Sequence, residues 1–206
     1  MGRTSDLPEL IGVAHYIREI RYHEFSRQAL GIVLIAVYSI WAAPRPELFW
    51  LGAVVAVIGI LFRLWASGFV IKNQELATTG PYALVRHPLY TGNIIMLVGY
   101  CLANGQVWPW LLGAFFLWFW YPPAIAYEDN KLHRIFGDSW LEWSSNRPAL
   151  IPRTLIGMSS EAAGWSFMKS LKQNWEPVIV AYSIFWLWWL WQQLPLVPTT
   201  ISNISN

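Results

Sequence analysis

Four strong apolar runs and a fifth, aromatic-rich one constrain this chain more than any other feature. They cover about Ala29 to Ala43, Leu48 to Ile71, Tyr90 to Ala103, Trp108 to Tyr127 and Pro177 to Leu194. A helix needs roughly 20 mostly apolar residues to cross the hydrocarbon core of a bilayer. A chain of 206 residues therefore has room for several short-looped spans. Only 13% of its residues are charged and 55% are hydrophobic, whereas about a quarter are charged in an ordinary soluble domain. The fold class expected is all-α: a polytopic helical membrane protein with about five transmembrane helices plus an N-terminal interfacial helix. Residues 1–26 form the interfacial segment, 27–153 the membrane core, and 154–206 a linker and a C-terminal transmembrane helix.

Local signals mark the ends of these runs. Pro44-Arg45-Pro46 closes the first, because proline lacks the helix donor and clashes with the preceding turn. Asn104-Gly105 makes a tight turn that folds the third and fourth runs into an antiparallel hairpin. Ahead of them, Leu10, Val13, Ala14 and Ile17 form a weak helical stripe among Arg18, Arg21 and Glu24. That pattern suits a helix lying on the membrane surface or a solvated leader equally. It has no continuous apolar core of the cleavable kind, so the first span is expected to serve as the targeting signal and the N-terminus to be retained.

The basic residues fix an expected orientation. Arg3, Arg18, Arg21 and Arg27 precede the first run, Lys72 and Arg86 follow the second, and Lys131, Arg134, Arg147, Arg153, Lys169 and Lys172 follow the fourth. The alternate loops hold only Arg45. The positive-inside rule then predicts an integral membrane protein with its N-terminus and the basic loops in the cytoplasm and its C-terminus on the opposite side. A net charge of +2 with scattered basic residues speaks against nucleic acid as a partner. One cysteine, Cys101, excludes an internal disulfide, and the four histidines show no ligand spacing, so no structural metal is expected. Asn203-Ile204-Ser205 matches a glycosylation sequon, a short tripeptide that chance explains well.

Chemistry concentrates in the loop after the second run. Thr78 through Gly92 is too polar and too broken by Gly and Pro to belong to a span. Gly80-Pro81 signals a turn, and Pro88 suits the first turn of the third helix, which holds Arg86 and His87 just outside that helix's N-terminus. Free backbone N–H groups there favour a carboxylate or phosphate. A basic loop touching lipid headgroups is the competing reading. A second polar element follows the fourth run: Glu128-Asp129 opens a charged, helical stretch that Gly137 stops. These acids either pair with Lys131 or His133 on their own helix or hydrogen-bond a ligand's hydroxyl or ammonium groups. Arg63, inside the second run, is expected to reach the membrane surface or to pair with Glu75 or Glu128.

Taken in order, Arg63-Leu64-Trp65-Ala66, Gly80-Pro81-Tyr82, Val85-Arg86-His87-Pro88 with Tyr90 and Gly92, Glu128-Asp129, Phe136-Gly137 and Pro148 through Pro152 resemble the isoprenylcysteine carboxyl methyltransferase and phospholipid methyltransferase superfamily. The resemblance covers about Leu48 to Arg153, so that 27–153 would be a membrane methyltransferase-like core. It implies methyl transfer from S-adenosyl-L-methionine to a lipophilic, membrane-associated acceptor. By that analogy Tyr82, His87 and Tyr90 hold the cofactor's amino-acid end, Glu128 binds its polar groups with Asp129 beside it, and Val85 and Leu132 line the adenosine. Pro88 and Gly92 complete the cofactor-binding motif, and Arg86 orients the acceptor at the reacting centre. Relatives that methylate a prenylcysteine carboxylate carry Arg-Val-Pro where this chain has Asn146-Arg147-Pro148. The acceptor-binding arginine thus aligns with Asn146, and Arg147 is displaced by about 100° of helix rotation. A non-catalytic membrane subunit on the same scaffold, with the Trp-rich C-terminal helix as a docking surface for a membrane-protein partner, is the alternative. An NADPH-dependent reductase of related fold ranks third, the chain being short for one. Membrane lipids are the remaining partner implied.

Overall fold

The computed structural model describes residues 4, 8–69, 74–153, 165–173 and 176–195. Arg3, Lys72, most of the linker in 154–206 and the tripeptide 203–205 lie outside the described residues. Every regular element among those described is helical: α1 Val13–Tyr22, α2 Glu24–Ile40, α3 Pro46–Ser67, a 3-10 turn Gly80–Ala83, α4 Pro88–Asn104, α5 Trp108–Phe136, α6 Asp138–Ser145, α7 Phe167–Gln173 and α8 Glu176–Gln192. Proline opens α3, α4 and, one residue in, α5, where the missing N–H would have had no intrahelical partner anyway. Gly105 ends α4 at φ 80° and Gly137 ends α5 at φ 55°.

Helices α2, α3, α4, α5 and α8 run up and down as a bundle. At one end Ala43 N donates to Asn104 O at 3.0 Å, Tyr38 Oη to Pro109 O at 2.8 Å and Gln193 Nε2 to Ser39 O at 2.7 Å. At the other end Arg27 of α2 lies over the Tyr90 ring of α4, and Arg63 of α3 meets Glu176 of α8. Sequence bounds and structure agree on these five helices to within a few residues. The helical stretch expected from Glu128 to its Gly137 stop is present and continues the fourth run, so that the two form one 29-residue helix.

The seam between α3 and α4 is built from small residues. A Cβ on Gly59 would stand 2.6 Å from Met96 N, and one on Gly99 would stand 2.7 Å from Ala56 Cα. Gly52, Ala56 and Gly59 on α3, four and three residues apart, thus face Gly92, Gly99 and Ala103 on α4, seven and four apart, the arrangement of small residues that lets helix backbones approach closely. Close approach accumulates dispersion contacts along the whole seam.

Pro122 and Pro123 sit inside α5. Pro123 has no N–H to give to the carbonyl four residues earlier, that of Phe119. Arg21 of α1 supplies the missing donor, Nε to Phe119 O at 3.0 Å, with its guanidinium 5.0 Å from the Phe119 ring. Trp120 Nε1 donates back to Ile20 O at 3.3 Å. The proline pair therefore creates the acceptor that docks α1 across the bundle.

Polarity is distributed inside out. Trp50, Val54, Ile58 and Leu61 of α3 and Val178, Ile184, Trp188 and Trp191 of α8 are exposed, whereas Arg63, Glu176, Asn104, Ser67, Ser170 and Ser183 are buried. Among the described residues α3 is the one helix of at least 18 residues that is apolar enough to cross a membrane. The sequence expectation for Arg63 is corrected here. It neither reaches the surface nor pairs with Glu75 or Glu128, but donates from Nη2 to Glu176 Oε1 at 2.7 Å and from Nε to Oε2 at 3.3 Å.

Two glycine substitutions test the seam. Gly59→Ala, which overlaps backbone, is expected to destabilise the fold by about 1–3 kcal/mol. Gly31→Ala, whose nearest neighbour would be Phe116 Cζ at 3.8 Å, is expected to be neutral or to stabilise by up to ~1 kcal/mol. Thermal unfolding of the two variants in detergent, followed by tryptophan fluorescence, separates them.

Candidate functional site

The loop before α4 is shaped by its glycine and prolines. Gly80 adopts φ 59°, and a Cβ there would strike the Phe69 ring at 2.5 Å. Pro81, Tyr82 and Val85 are buried behind it. The chain then runs beside residues 147–150: Arg86 N donates to Pro148 O at 2.9 Å, His87 N to Ala149 O at 3.0 Å, and Thr91 Oγ1 to Leu150 O at 2.7 Å. These bonds give the segment after α6 a defined place beside the loop and the first turn of α4.

One carboxylate joins this loop to α5. Asp129 Oδ2 accepts from Arg86 Nη2 at 2.8 Å, and Asp129 Oδ1 accepts from His87 Nε2 at 2.8 Å. An ionised carboxylate can only accept, so His87 carries its proton on Nε2. Arg86 Nη1 donates to Arg147 O at 2.8 Å, tying the same guanidinium to the third segment. Burial pushes the Asp129 carboxyl up, but the hydrogen bonds and charges of His87 and Arg86 together outweigh it and hold the group below the ordinary carboxylate range.

Tyr90 extends the site on its other side. Its ring stacks on His87 with centroids 5.5 Å apart and 18° between planes, and lies 5.4 Å from Tyr121. The Arg27 guanidinium stands 4.6 Å from the Tyr90 centroid, close enough for a cation–π contact. Glu128 brings Oε2 to 3.8 Å from His87 Nδ1, and its side chain remains 44% exposed. It is the acid of the pair that keeps an open face. The Tyr82 hydroxyl is raised by burial and then by the nearby Glu128 charge, so it remains a neutral donor.

Tyr82, Arg86, His87, Tyr90, Glu128 and Asp129 are thus brought together from three segments. Arg147 enters through its carbonyl, and Asn146 caps the end of α6 next to it. Val85 and Pro88 are wholly buried beneath the loop. Leu132 is half-buried one turn beyond Glu128 on α5. Gly92 faces away from this group: its added Cβ would meet Arg63 Cγ at 2.5 Å, so it serves the α3–α4 seam. Sequence reasoning did not single out Arg27 or Tyr121 as part of this neighbourhood. The first was read only for its charge and the second as one aromatic among many, since neither stands in a motif.

Two buried donors, Arg86 Nε and Arg147 Nε, have no hydrogen-bond partner. Unsatisfied buried donors are costly and call for an acceptor. Arg86 Nε and the half-exposed Glu128 carboxylate thus leave this neighbourhood with a free donor and an open acceptor.

Comparison with known proteins bears on the same residues. A family model described as phospholipid methyltransferase matches residues 48–139, from the start of α3 into α6. The nickel-cobalt-cadmium resistance protein NccN of Alcaligenes xylosoxydans xylosoxydans is 31% identical over 158 residues, which is 72% of this chain and 72% of that protein. The protein-S-isoprenylcysteine O-methyltransferase of Schizosaccharomyces pombe is 36% identical over 81 residues, 39% of this chain and 34% of that one. The chain belongs to the isoprenylcysteine carboxyl methyltransferase and phospholipid methyltransferase superfamily. The cobalt-zinc-cadmium resistance protein CzcN of Cupriavidus metallidurans also aligns, 33% identical over 105 residues, or 50% of this chain and 47% of that one. No solved structure matches. The matched segment contains the whole loop, α4, and both acids of this superfamily member, but neither residues 147–150 nor α8.

Asp129 sets the acid stability of this arrangement. Its carboxyl titrates lower in the folded chain than in the unfolded one, so the clamp contributes fully above about pH 4 and is lost as pH falls through the folded value. Asp129→Asn is expected to cost about 2 kcal/mol at neutral pH, given about 1.5–3 kcal/mol for hydrogen bonds to charged groups. Its loss of stability below about pH 4 should be shallower than the parent's, which denaturant titrations at pH 7 and pH 3 would register.

Proposed function

We propose that this chain is an integral membrane enzyme that transfers a methyl group from S-adenosylmethionine to a lipophilic acceptor reached from the bilayer. The observation that carries this reading is an open carboxylate, Glu128, in the same cluster as Arg86, whose buried Nε has no partner, in a chain of this superfamily. When bound, the cofactor's sulfonium supplies an already activated methyl group, so no covalent intermediate with the protein is required. The chain's own contribution is position. Glu128 offers acceptors for an ammonium or ribose hydroxyl, and the Tyr90–His87 stack gives a flat, rigid wall beside it. Asp129 and the Arg147 carbonyl hold Arg86 in one orientation, leaving Nε to face an acceptor oxygen. Preorganisation of this kind supplies much of the rate enhancement available to a displacement reaction.

The membrane setting is supported by the inverted surface. A soluble bundle would cover its apolar residues and expose Arg63 and Glu176, which charged groups strongly favour; this bundle does the reverse. Helices α2, α4 and α8 have 17 residues each, about 25 Å of helix at 1.5 Å per residue, within the range that spans. Helix α1 turns Val13, Tyr16, Ile17 and Ile20 outward and draws Arg21 inward, as a helix lying in a lipid interface does. Arg86, Arg134, Arg147 and Arg153 lie toward the same end of the bundle, which the positive-inside rule places in the cytoplasm. A lipophilic acceptor is suggested by two names among the comparisons, protein-S-isoprenylcysteine O-methyltransferase and phospholipid methyltransferase, each of which refers to a group carrying long hydrocarbon chains. Two other relatives are named for metal resistance. Among the described residues no group of three His, Cys, Asp or Glu side chains is placed to hold an ion, so no observation favours reading a metal centre from those names.

Calorimetry with S-adenosylhomocysteine on the purified chain tests the reading. The parent should bind, Glu128→Ala should weaken binding at least tenfold, and Gln106→Ala, at the opposite end of the bundle, should leave it unchanged. Absence of heat from the parent would favour a non-catalytic scaffold. Orientation has its own test in a Cys101→Ser background: a cysteine placed at His133 should react with a membrane-impermeant maleimide only from the cytoplasmic side, and one at Arg45 only from the other.

A further inference from the structure

The buried charges of α3 and α8 play no part in the site as described. Arg63 is 8% exposed and Glu176 only 1%, and they form a two-pronged ion pair. Desolvation largely cancels the attraction in such a pair, and two apolar residues of similar volume commonly hold a fold together as well. Helix packing alone therefore gives no reason for this one.

Its connections do. The remaining arm of Arg63, Nη1, donates to Asn93 Oδ1 on α4, one turn beyond Tyr90. Asn93 and Tyr90, three residues apart, share one face of α4. The Tyr121 ring of α5 packs on Tyr90, and Tyr90 stacks on His87. The ion pair is thus connected, through one turn of α4 and its ring contacts, to the edge of the site. One turn from Arg63, Ser170 of α7 meets Ser67 of α3 Oγ to Oγ at 2.6 Å, so this part of the C-terminal region is held in register with α3 by two polar contacts.

We propose that Glu176 is a positioning residue for the site. By holding Arg63 against Asn93 it fixes the first turns of α4 and the Tyr90 ring they carry, and with them the His87–Glu128 edge. This makes α8, which lies outside the matched segment 48–139, part of the ligand-binding machinery; as far as the ligand is an S-adenosyl compound, the inference rests on the function proposed above.

Glu176→Ala alone leaves a buried guanidinium uncompensated and destabilises the fold, so it does not separate positioning from simple support. The paired variant Arg63→Met/Glu176→Leu does, because it removes both charges and keeps apolar volume. Three quantities are read on the full chain in lipid nanodiscs: the melting temperature, the affinity for S-adenosylhomocysteine, and the His87 ring signal in 13C-histidine NMR, assigned with His87→Gln. The expected result is a melting temperature within a few degrees of the parent's, a shifted His87 signal and at least tenfold weaker binding. Asn93→Leu, which cuts this connection but leaves the ion pair, should shift the same signal and weaken binding similarly. A parental His87 signal in either folded variant overturns the proposal. Should the parent bind no S-adenosylhomocysteine, the proposed function fails while the His87 signal still decides this point.

Discussion

The shared carboxylate of Asp129 is the interaction on which the site depends. One side chain from α5 accepts from two consecutive residues of the loop, Arg86 and His87, through different oxygens. That geometry allows little freedom to either partner. Because Arg86 also donates to the Arg147 carbonyl, a third segment is fixed relative to the first two. Remove the carboxylate, and two donors lose a common acceptor in a partly buried place, while the loop keeps its backbone bonds to Pro148 and Ala149 and the bond of Arg86 to the Arg147 carbonyl. The division of labour between the neighbouring acids follows directly. Asp129 is consumed by structure, and Glu128, one residue earlier on the same helix, keeps an exposed face.

The rest of the bundle brings this clamp together from residues far apart in the chain. Small residues on α3 and α4 let the two backbones touch, which sets the position of α4's first turn and so of His87 and Tyr90. On the outer side of α5, two prolines withdraw backbone donors and leave carbonyls open, one of which Arg21 satisfies. The helix therefore carries, at its middle, the means of fastening α1, and at its end the acids of the site. An interior of paired charges and serines beneath an apolar exterior is the arrangement that fits the proposed bilayer setting, where polar side chains must find partners within the protein.

Much of this was legible before any coordinates. The five helices followed from apolar runs and their Pro and Gly boundaries, because helix ends are governed by local chemistry: Pro88 and Gly105 act on their own turns whatever surrounds them. The loop of Arg86 and His87 and the acids Glu128 and Asp129 stood out as ordered polar motifs between apolar runs. The helical stretch from Glu128 to its Gly137 stop was legible as well, but not that it continues the fourth run as one helix. Hydropathy falls sharply at Glu128, but a helix continues wherever its backbone hydrogen bonds continue, and nothing there interrupts them before Gly137.

What the sequence determined alone was the five long helices, their approximate boundaries and the identity of the polar groups at their ends, since these depend on neighbours a few residues away; the short α6 and α7 were not foreseen. Only the tertiary structure decided partners. Arg63 had acids available in several segments, and which one it met depended on α8 packing beside α3 and α4, a matter of shape and close approach with no local signature. For the same reason Arg27, Tyr121 and Glu176 carried no mark of their place near the site, whereas Asp129 acquired its two partners through the meeting of a loop and a helix end separated by more than forty residues. Long-range contacts of this kind arise from the packing of whole surfaces, and no short stretch of chain contains them.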